Sequence, residues 1–185
     1  GDDDLWLAYE NGDLYLELRK RSQLFSQLSR QQFKILCISH MYGMTTGGIK
    51  KKFSVSHSVA KKWFHELRYI FQRINEYLDL KVTKALAQGY AEVNGYRRSV
   101  AATSGNASIR NFFVQAICAQ MLQKISVKLD QSNIKSIFAI HDSISILTDL
   151  NDDKSYDHTI KVMEDVSESF LGSGYRLKVE CEFIK

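Results

Sequence analysis

The chain has 185 residues, of which 44% are hydrophobic and 25% are charged, and its formal net charge is +4. This length and composition exclude a disordered or fibrous protein, because the chain can bury a core of its own. No run approaches the roughly 18 apolar residues of a membrane span, and residues 1–4 lack the basic and apolar regions of a signal peptide. We therefore expect a soluble, intracellular protein without a membrane partner.

The first predicted elements are two helical segments. Residues 5–28 have helical periodicity with a break at Asp13, which can cap the second piece. From Ser29 the apolar side chains again follow helical spacing. The dipeptide Gly47-Gly48 is predicted to end this second segment as a turn.

A long helix, a hairpin and another helix are predicted next. Ser56 can cap one amphipathic helix over residues 57–88. Asn94-Gly95 lies between strand-like residues, and this dipeptide is the strongest short signal for a β-hairpin. The helical pattern then returns over residues 107–129.

The last part of the chain is predicted to contain a second hairpin, a helix and a strand. Residues 134–148 are rich in β-branched side chains, which predicts two antiparallel strands with His141-Asp142 at their turn. Residues 156–171 have a helical pattern, and residues 175–183 alternate as a final strand would. This order of elements indicates an α+β fold with a small antiparallel sheet.

The positive charge is concentrated in the middle of the chain. Residues 30–110 contain fourteen Lys or Arg and four Asp or Glu, a balance of +10 that leaves −6 for the remainder. Such a distribution suits a surface that faces phosphate groups. An ordinary solvated helical face has a similar composition, so charge alone leaves both interpretations open.

Four side chains are spaced four residues apart on one predicted helix: Arg30, Lys34, Ile38 and Tyr42. At about 1.5 Å rise per residue, the first and last are roughly 18 Å apart along the axis, on nearly the same face. Two cations near the start and an aromatic ring near the end could lie along a nucleoside triphosphate and the adjoining base pair. A surface helix with ordinary cations and one core tyrosine has the same spacing.

This pattern, with Gly43 after Tyr42, resembles motif B of family A (polymerase I-like) DNA polymerases, which lies on the nucleotide-binding helix of the fingers. Three further segments resemble motifs of that family in the same order: the hairpin GYAEVNGYRR, the segment Asn111 to Gln115, and the His141-Asp142 turn of a motif C. The four segments cover nearly the whole chain. The resemblance implies a mostly helical fingers-like region over residues 14–88. It implies an incomplete palm over residues 1–13 and 89–185, without a thumb or exonuclease domain.

The resemblance also implies a reaction and roles in nucleotide binding. The reaction is template-directed transfer of a nucleotide from a dNTP to a primer 3′-hydroxyl. Arg30 and Lys34 are similar to the ligands of the triphosphate, and the resemblance also implies a catalytic role for Lys34. Ile38 and Tyr42 occupy the positions next to the nascent base pair.

Metal-binding and DNA-binding residues follow from the same resemblance. Asp142 resembles one of two aspartates that hold a pair of Mg²⁺ ions, roughly 3.5–4 Å apart in such sites. A carboxylate at a tight turn between strands is held rigidly, as that chemistry requires. The residues implied to hold the primer–template DNA are Gln115, His141, Asn111, Arg97 and Arg98.

The second aspartate of that metal site is not found in this sequence. In the family it belongs to motif A, and residues 1–13 resemble the stretch that follows motif A. Asp2, Asp3 and Asp4 do not replace it, because nothing around them has the pattern of a buried strand. We expect the motif A and thumb segment to be supplied in cis or by another chain, and the isolated chain to be inactive.

Three residues depart from the family pattern. Ile38 replaces an aromatic side chain, Tyr15 stands where a histidine would follow Asp13, and Ser143 follows His-Asp where the family has glutamate. Two alternatives stay open. One is a fragment of a single-subunit, phage-type RNA polymerase, in which His-Asp-Ser is familiar. The other is a catalytically defunct polymerase-like module that binds nucleic acid.

Overall fold

A computed structural model describes residues 3–140, 143–149 and 152–182, and the chain divides into two compact units, Gly1–Phe113 and Val114–Lys185. The helices are α1 (Asp3–Glu10), α2 (Leu14–Lys20), α3 (Arg30–Met41), α4 (Thr46–Phe53), α5 (His57–Ile70), α6 (Gln72–Gln88), α7 (Asn106–Gln131) and α8 (Asp153–Leu171), with a 3-10 turn at Gln23–Phe25. The strands are β1 (Tyr90–Val93), β2 (Tyr96–Ser99), β3 (Lys135–Ile140) and β4 (Ser143–Leu147). In the described residues the strands form two antiparallel hairpins, which confirms the α+β class. None of the described helices has the length and apolar character needed to cross a membrane.

The predicted helix starts at Asp13 and Ser29 are confirmed. Asp13 Oδ1 accepts hydrogen bonds from the Tyr15 and Leu16 N–H groups, both at 3.0 Å, and so caps α2. Ser29 caps α3 by accepting from the Gln32 N–H at 3.1 Å, while the Gln32 side chain accepts from the Ser29 N–H at 2.9 Å. This reciprocal capping box fixes where α3 begins.

The predicted end of that helix at Gly47-Gly48 is wrong. The helix ends two residues before Gly43, which makes the turn with a φ of +87°. Gly47 and Gly48 lie in the first turn of α4, which Thr45 caps by accepting from the Gly48 N–H at 3.4 Å. The Gly43 and Met44 N–H groups donate to the His40 and Ser39 carbonyls, both at 2.9 Å, as in a helix C-terminus that ends on a left-handed glycine. A side chain at Gly43 would also be too close to α7, because a Cβ would lie 2.8 Å from the Ala107 Cα.

The predicted single helix over residues 57–88 is broken at Phe71. Ser56 caps α5 as expected, accepting from the Val59 N–H at 3.3 Å. Phe71 then leaves helical geometry, with φ −105° and ψ 33°, and its side chain is buried in the core. The Asn75 side-chain amide donates to the Phe71 carbonyl at 3.0 Å, within the first turn of α6.

Two hydrophobic clusters form the core of the first unit. The larger contains the buried residues Leu18, Phe25, Leu28, Phe33, Leu36, Cys37, Ile49, Ala60, Trp63, Leu67 and Phe71. The smaller contains Leu78, Val82, Ala85, Ala91, Val100, Ile109 and Phe113. Because α3 buries the side with Phe33, Leu36 and Cys37, its side with Arg30 and Lys34 is left toward solvent.

The first hairpin has the turn that its sequence predicts. Val93 pairs with Tyr96 on either side of Asn94-Gly95, and Glu92 pairs with Arg97 one step further. Asn94 and Gly95 have φ values of +46° and +86°. Two consecutive positive φ angles are the requirement of a type I′ turn, so the prediction from Asn-Gly is confirmed.

The second unit contains the other hairpin and the helix α8. β3 and β4 pair antiparallel as predicted, and Ile140↔Ser143 is the last described pair. His141 and Asp142 lie outside the described residues. The core of this unit is formed by Ile125, Leu129, Ile134, Val162 and Val166. Large apolar side chains of the hairpin are exposed: Ile137, Phe138, Ile140 and Leu147.

The predicted final strand over residues 175–183 is wrong for the part that the structure describes, because residues 175–182 form no strand. This segment binds to side chains of α8 instead of to a sheet edge. The Leu177 N–H donates to Ser167 Oγ at 2.9 Å, and Arg176 pairs with Glu168 at 2.7 Å. Alternation of polarity alone therefore did not distinguish a strand from an extended segment that packs on a helix.

Candidate functional site

The start of α3 brings two of the predicted nucleotide-binding residues together. The guanidinium carbon of Arg30 and the Nζ of Lys34 each lie 5.8 Å from the centre of the Tyr15 ring. Tyr15 is half-buried in α2 and packs against the larger hydrophobic cluster. One aromatic ring therefore holds two cations at the N-terminal end of the helix.

A carboxylate lies beside these cations. Asp13 Oδ2 accepts a hydrogen bond from Arg30 Nε, in addition to the helix cap made by Oδ1. Partial burial alone would raise the pKa of Asp13, but the hydrogen bonds from Leu16 and Arg30 and the charge of Arg30 hold that pKa below its usual value. The carboxylate is therefore charged at neutral pH. Among the residues described, none hydrogen-bonds to Nη1 or Nη2 of Arg30, so this edge of the guanidinium is available.

The other end of the same helix offers apolar and aromatic surface. Ile38 is half-buried, and Tyr42, the residue that follows the last residue of the helix, is 38% exposed. The Tyr42 N–H donates to the Ile38 carbonyl at 3.1 Å. Directly after Tyr42, Gly43 passes against Ala107 at the start of α7. The helix thus presents cations in its first two turns and a ring directly after its last residue, in the predicted order.

Both arginines of the first hairpin are exposed, and both have partners within the chain. Arg97 Nε donates to Glu92 Oε2 at 2.5 Å, and its guanidinium lies 4.9 Å from the Tyr90 ring centre. Arg98 donates to the Ser108 carbonyl at 3.1 Å and to its Oγ at 2.8 Å. Arg98 therefore ties the hairpin to α7. A contact of either residue with DNA stays a prediction.

The other predicted site residues do not form a single cluster in the part of the chain that the structure describes. Asn111 is half-buried, and its Oδ1 has no hydrogen-bond partner among the described residues. Gln115 is exposed and belongs to the second unit, while His141 and Asp142 lie outside the described residues. The described part of the chain groups no three His, Cys, Asp or Glu side chains as a metal site. A metal role for Asp142 therefore stays a prediction.

A buried polar network in the first unit was not foreseen from the sequence. Arg110 is 6% exposed; its Nη1 pairs with Asp79 Oδ1, and its Nη2 donates to Asn75 Oδ1 at 2.7 Å. Asn75 Nδ2 lies 3.3 Å from Nε2 of the buried His40, on the core side of α3. The other Asp79 oxygen accepts from Arg68 at 2.9 Å. The network joins α3, α5, α6 and α7 through side chains.

Burial controls the charge of this network. It lowers the pKa of His40 to about 4, and the positive charges of Arg110 and Arg68 act in the same direction. His40 is therefore neutral near pH 7. Burial also lowers the pKa of Arg110, but the Asp79 charge opposes that shift, and an arginine stays protonated. The sequence offered one signal only: Asn75 and Asp79 are four apart, so they share a face of α6.

The helices α4 and α5 carry a lysine surface. The sequence between Glu17 and Glu66 contains ten Lys or Arg and no Asp or Glu. Five lysines of this stretch are exposed and form no ion pair with a described residue: Lys50, Lys51, Lys52, Lys61 and Lys62. Glu66, one turn after Lys62 in α5, is the nearest carboxylate in sequence, so these five lysines keep an excess of positive charge that attracts polyanions.

Comparison with known proteins identifies the fold. No protein-family model and no curated protein sequence matches the chain. Among solved structures, the chain is similar to the POL domain of Pol1 from M. smegmatis in complex with DNA primer-template and dNTP, with a TM-score of 0.75 at 16% sequence identity. The match covers 88% of this chain and 33% of the other, so this chain spans about a third of that protein's length. The chain therefore has a polymerase-like fold.

Proposed function

We propose that the chain forms the fingers and part of the palm of a family A, template-directed DNA polymerase. In this proposal residues 14–88 are the fingers-like region, and residues 1–13 and 89–185 belong to the palm. The reaction is nucleotidyl transfer from a dNTP to a primer 3′-hydroxyl. The polymerase-like fold supports the proposal in general, and the side chains of α3 support the specific chemistry.

The observation that carries the proposal is the pair of cations on the Tyr15 ring. Arg30 offers two nitrogens without a described hydrogen-bond partner, and a planar guanidinium edge suits bidentate contact with phosphate oxygens. Lys34 adds a point charge about 6 Å further along the helix axis. A triphosphate held by both would leave its sugar and base toward Ile38 and Tyr42.

Lys34 is also the residue that we propose to assist the reaction itself. Charge develops on the phosphate oxygens during nucleotidyl transfer, and a fixed cation stabilises it. The Tyr15 ring, whose centre lies 5.8 Å from Nζ, favours this position of the cation before a nucleotide arrives. An ammonium group that is already positioned loses little freedom when it binds a phosphate.

Primer–template DNA is the second proposed partner. The polymerase domain with the similar fold was solved with DNA primer-template and dNTP, which supports partners of this kind for this chain. The lysine surface of α4 and α5 provides sequence-independent attraction to a phosphate backbone. The residues proposed to contact the duplex are Arg97, Arg98, Asn111, Gln115 and His141.

Magnesium is the proposed cofactor, with Asp142 as one ligand. When bound, the two ions of such a site activate the primer hydroxyl and neutralise the triphosphate. Magnesium needs only one or two protein carboxylates together with phosphate oxygens and water. The second carboxylate would come from the motif A and thumb segment, in cis or in another chain.

Primer extension with Mg²⁺ tests this proposal on the complete gene product, including any segment that carries motif A. The expected result is template-dependent incorporation of deoxynucleotides, with a higher KM for dNTP in Arg30→Ala. Offering ribonucleotides in parallel tests the single-subunit RNA polymerase alternative, which predicts their preferred incorporation. Incorporation of neither kind of nucleotide would contradict the enzymatic proposal and favour a nucleic-acid-binding module.

A further inference from the structure

Asp13 uses its two carboxylate oxygens for two different tasks. Oδ1 accepts from the backbone N–H groups of Tyr15 and Leu16, and Oδ2 accepts from Arg30 Nε. One side chain therefore caps α2 and also binds the first residue of α3, 17 positions away in sequence. The guanidinium is held on one edge only, which leaves Nη1 and Nη2 for a ligand.

We propose that Asp13 is a positioning residue for the incoming nucleotide: it holds the Arg30 guanidinium by Nε and so leaves the Nη1–Nη2 edge ready for the triphosphate. This inference rests on the proposed role of Arg30 as a phosphate ligand. Tyr15 completes the arrangement, because its ring supports the guanidinium 5.8 Å away while Asp13 fixes its orientation. Asp13 and Tyr15 together restrict a side chain that is otherwise long and mobile.

Whether Asp13 strengthens or weakens nucleotide binding depends on two opposing contributions. The Asp13 charge repels a triphosphate, but its side chain is 26% exposed and that of Arg30 is 45% exposed, so water and salt weaken this repulsion. Ordering of the arginine acts in the other direction. A free arginine must lose its rotamer freedom when the nucleotide binds, whereas this one has already lost it. We infer that ordering outweighs repulsion, so Asp13 strengthens nucleotide binding.

Matched variants separate positioning from helix capping. Asp13→Asn keeps an oxygen for the cap of α2 but turns a donor NH₂ group toward Arg30. Asp13→Ser also keeps a capping oxygen and lacks the second acceptor. Asp13→Ala removes both the helix cap and the contact with Arg30, and it measures their combined effect. Arg30→Gln tests the phosphate contact itself.

The measurements use dATP as the probe. In this chain, dATP affinity is followed by NMR titration, and the Arg30 Nε–H signal reports whether that group is held. In the complete protein, KM and kcat for dATP are taken from primer extension. We expect Asp13→Asn and Asp13→Ser to weaken dATP binding and raise KM by about two- to tenfold, since ordering one side chain has an effect of this size. The kcat and the thermal midpoint should stay close to those of the unmodified protein, while the Nε–H signal should exchange faster with water.

Opposite results would overturn the inference in identifiable ways. Tighter dATP binding by Asp13→Asn means that the carboxylate competes with the nucleotide, and unchanged binding means that the contact is incidental. In the Arg30→Gln background, Asp13→Asn should have no further effect on affinity. If Arg30→Gln itself leaves dATP affinity unchanged, the proposed role of Arg30 is wrong. If Arg30→Gln weakens binding and Asp13→Asn does not, only the inference about Asp13 is wrong.

Discussion

Arg110 donates from Nη2 to the side-chain oxygen of Asn75 at 2.7 Å, and this hydrogen bond is buried in the first unit. Through Asn75 it reaches His40 on the core side of α3, the helix whose other side carries Arg30 and Lys34. The polar network therefore contacts α3 on the side opposite to the candidate nucleotide-binding face. A buried network of this kind stabilises a fold only while each of its members keeps a partner.

Replacing Arg110 by Met should lower the free energy of unfolding by about 2–3 kcal/mol, because Asn75 Oδ1 then loses its donor in a buried position. Urea unfolding at pH 7 measures this. The matched control is Arg68→Met at the exposed end of the same network, for which we expect a loss of at most about 1 kcal/mol. If the two variants lose the same free energy of unfolding, burial of the Arg110 hydrogen bonds does not determine their contribution to stability.

The stability of the protein should fall between about pH 6.5 and pH 4 in a way that depends on His40. Its pKa is lowered to about 4 in the folded state, so across this interval the unfolded chain binds a proton that the folded chain does not. Stability from this residue is complete above the unfolded pKa and is lost as the pH falls toward 4. Between pH 7 and 4.5 the loss is about 2–3 kcal/mol.

Urea unfolding at both pH values, repeated with His40→Leu, isolates this contribution from that of the carboxylates. The variant should lose less stability than the unmodified protein by the stated amount. If both proteins lose the same amount of stability between the two pH values, His40 titrates normally in the folded protein.

Gly43→Ala should destabilise the protein more than Gly95→Ala. Both glycines have a φ near +87°, where an alanine costs about 1–2 kcal/mol. At Gly43 the added Cβ would also lie 2.8 Å from the Ala107 Cα, whereas nothing lies within 4 Å at Gly95. We expect a total loss of about 2–4 kcal/mol at Gly43, by the same unfolding measurement. Similar losses at the two positions would mean that α7 moves away at little cost.

Neutralising the lysine surface should reduce the salt dependence of DNA binding. For Lys50, Lys51 and Lys52 changed together to Gln, the slope of log K against log salt should fall by roughly 1–3, since each lost phosphate contact contributes about 0.9. Fluorescence anisotropy with a duplex at several salt concentrations gives this slope. The control changes three exposed lysines of the second unit, Lys135, Lys154 and Lys161, to Gln. An equal fall in the control would point to net charge instead of a specific surface.

Asp142→Asn in the complete protein should reduce nucleotide incorporation by at least about two orders of magnitude, as loss of a group that stabilises the transition state does. Binding of primer–template should be unaffected, because the neighbouring phosphate contacts remain. Single-turnover incorporation and anisotropy, measured on the same preparation, separate the two effects. A normal rate would remove Asp142 from the proposed metal site.

Local signals predicted the elements that depend on neighbours in sequence. The cap at Asp13, the start of helical spacing at Ser29 and the turn at Asn94-Gly95 follow from the chemistry of a few adjacent residues. The end of α3 was missed although Gly43 is a local signal of a helix end, because Gly47-Gly48 offers a second signal four residues later. The final strand was missed because a strand needs a partner edge, and alternation of polarity does not reveal one.

The candidate site was predictable to a similar extent. Spacing of four placed Arg30 and Lys34 on one face, and the structure shows both on the Tyr15 ring. The contact between Asp13 and Arg30 does not follow from the sequence, because the two residues are 17 positions apart and lie at the starts of different helices. His40 and Arg110 lie 70 positions apart and meet only through Asn75, so no local pattern connects them.

The second hairpin has a practical consequence for work with the purified chain. Ile137, Phe138, Ile140 and Leu147 are between 49% and 60% exposed on a hairpin that pairs with no other strand among the described residues. Open strand edges with apolar side chains pair readily with other copies. Preparations at high concentration should therefore form aggregates, and a polar replacement such as Phe138→Thr should improve the yield of monomer.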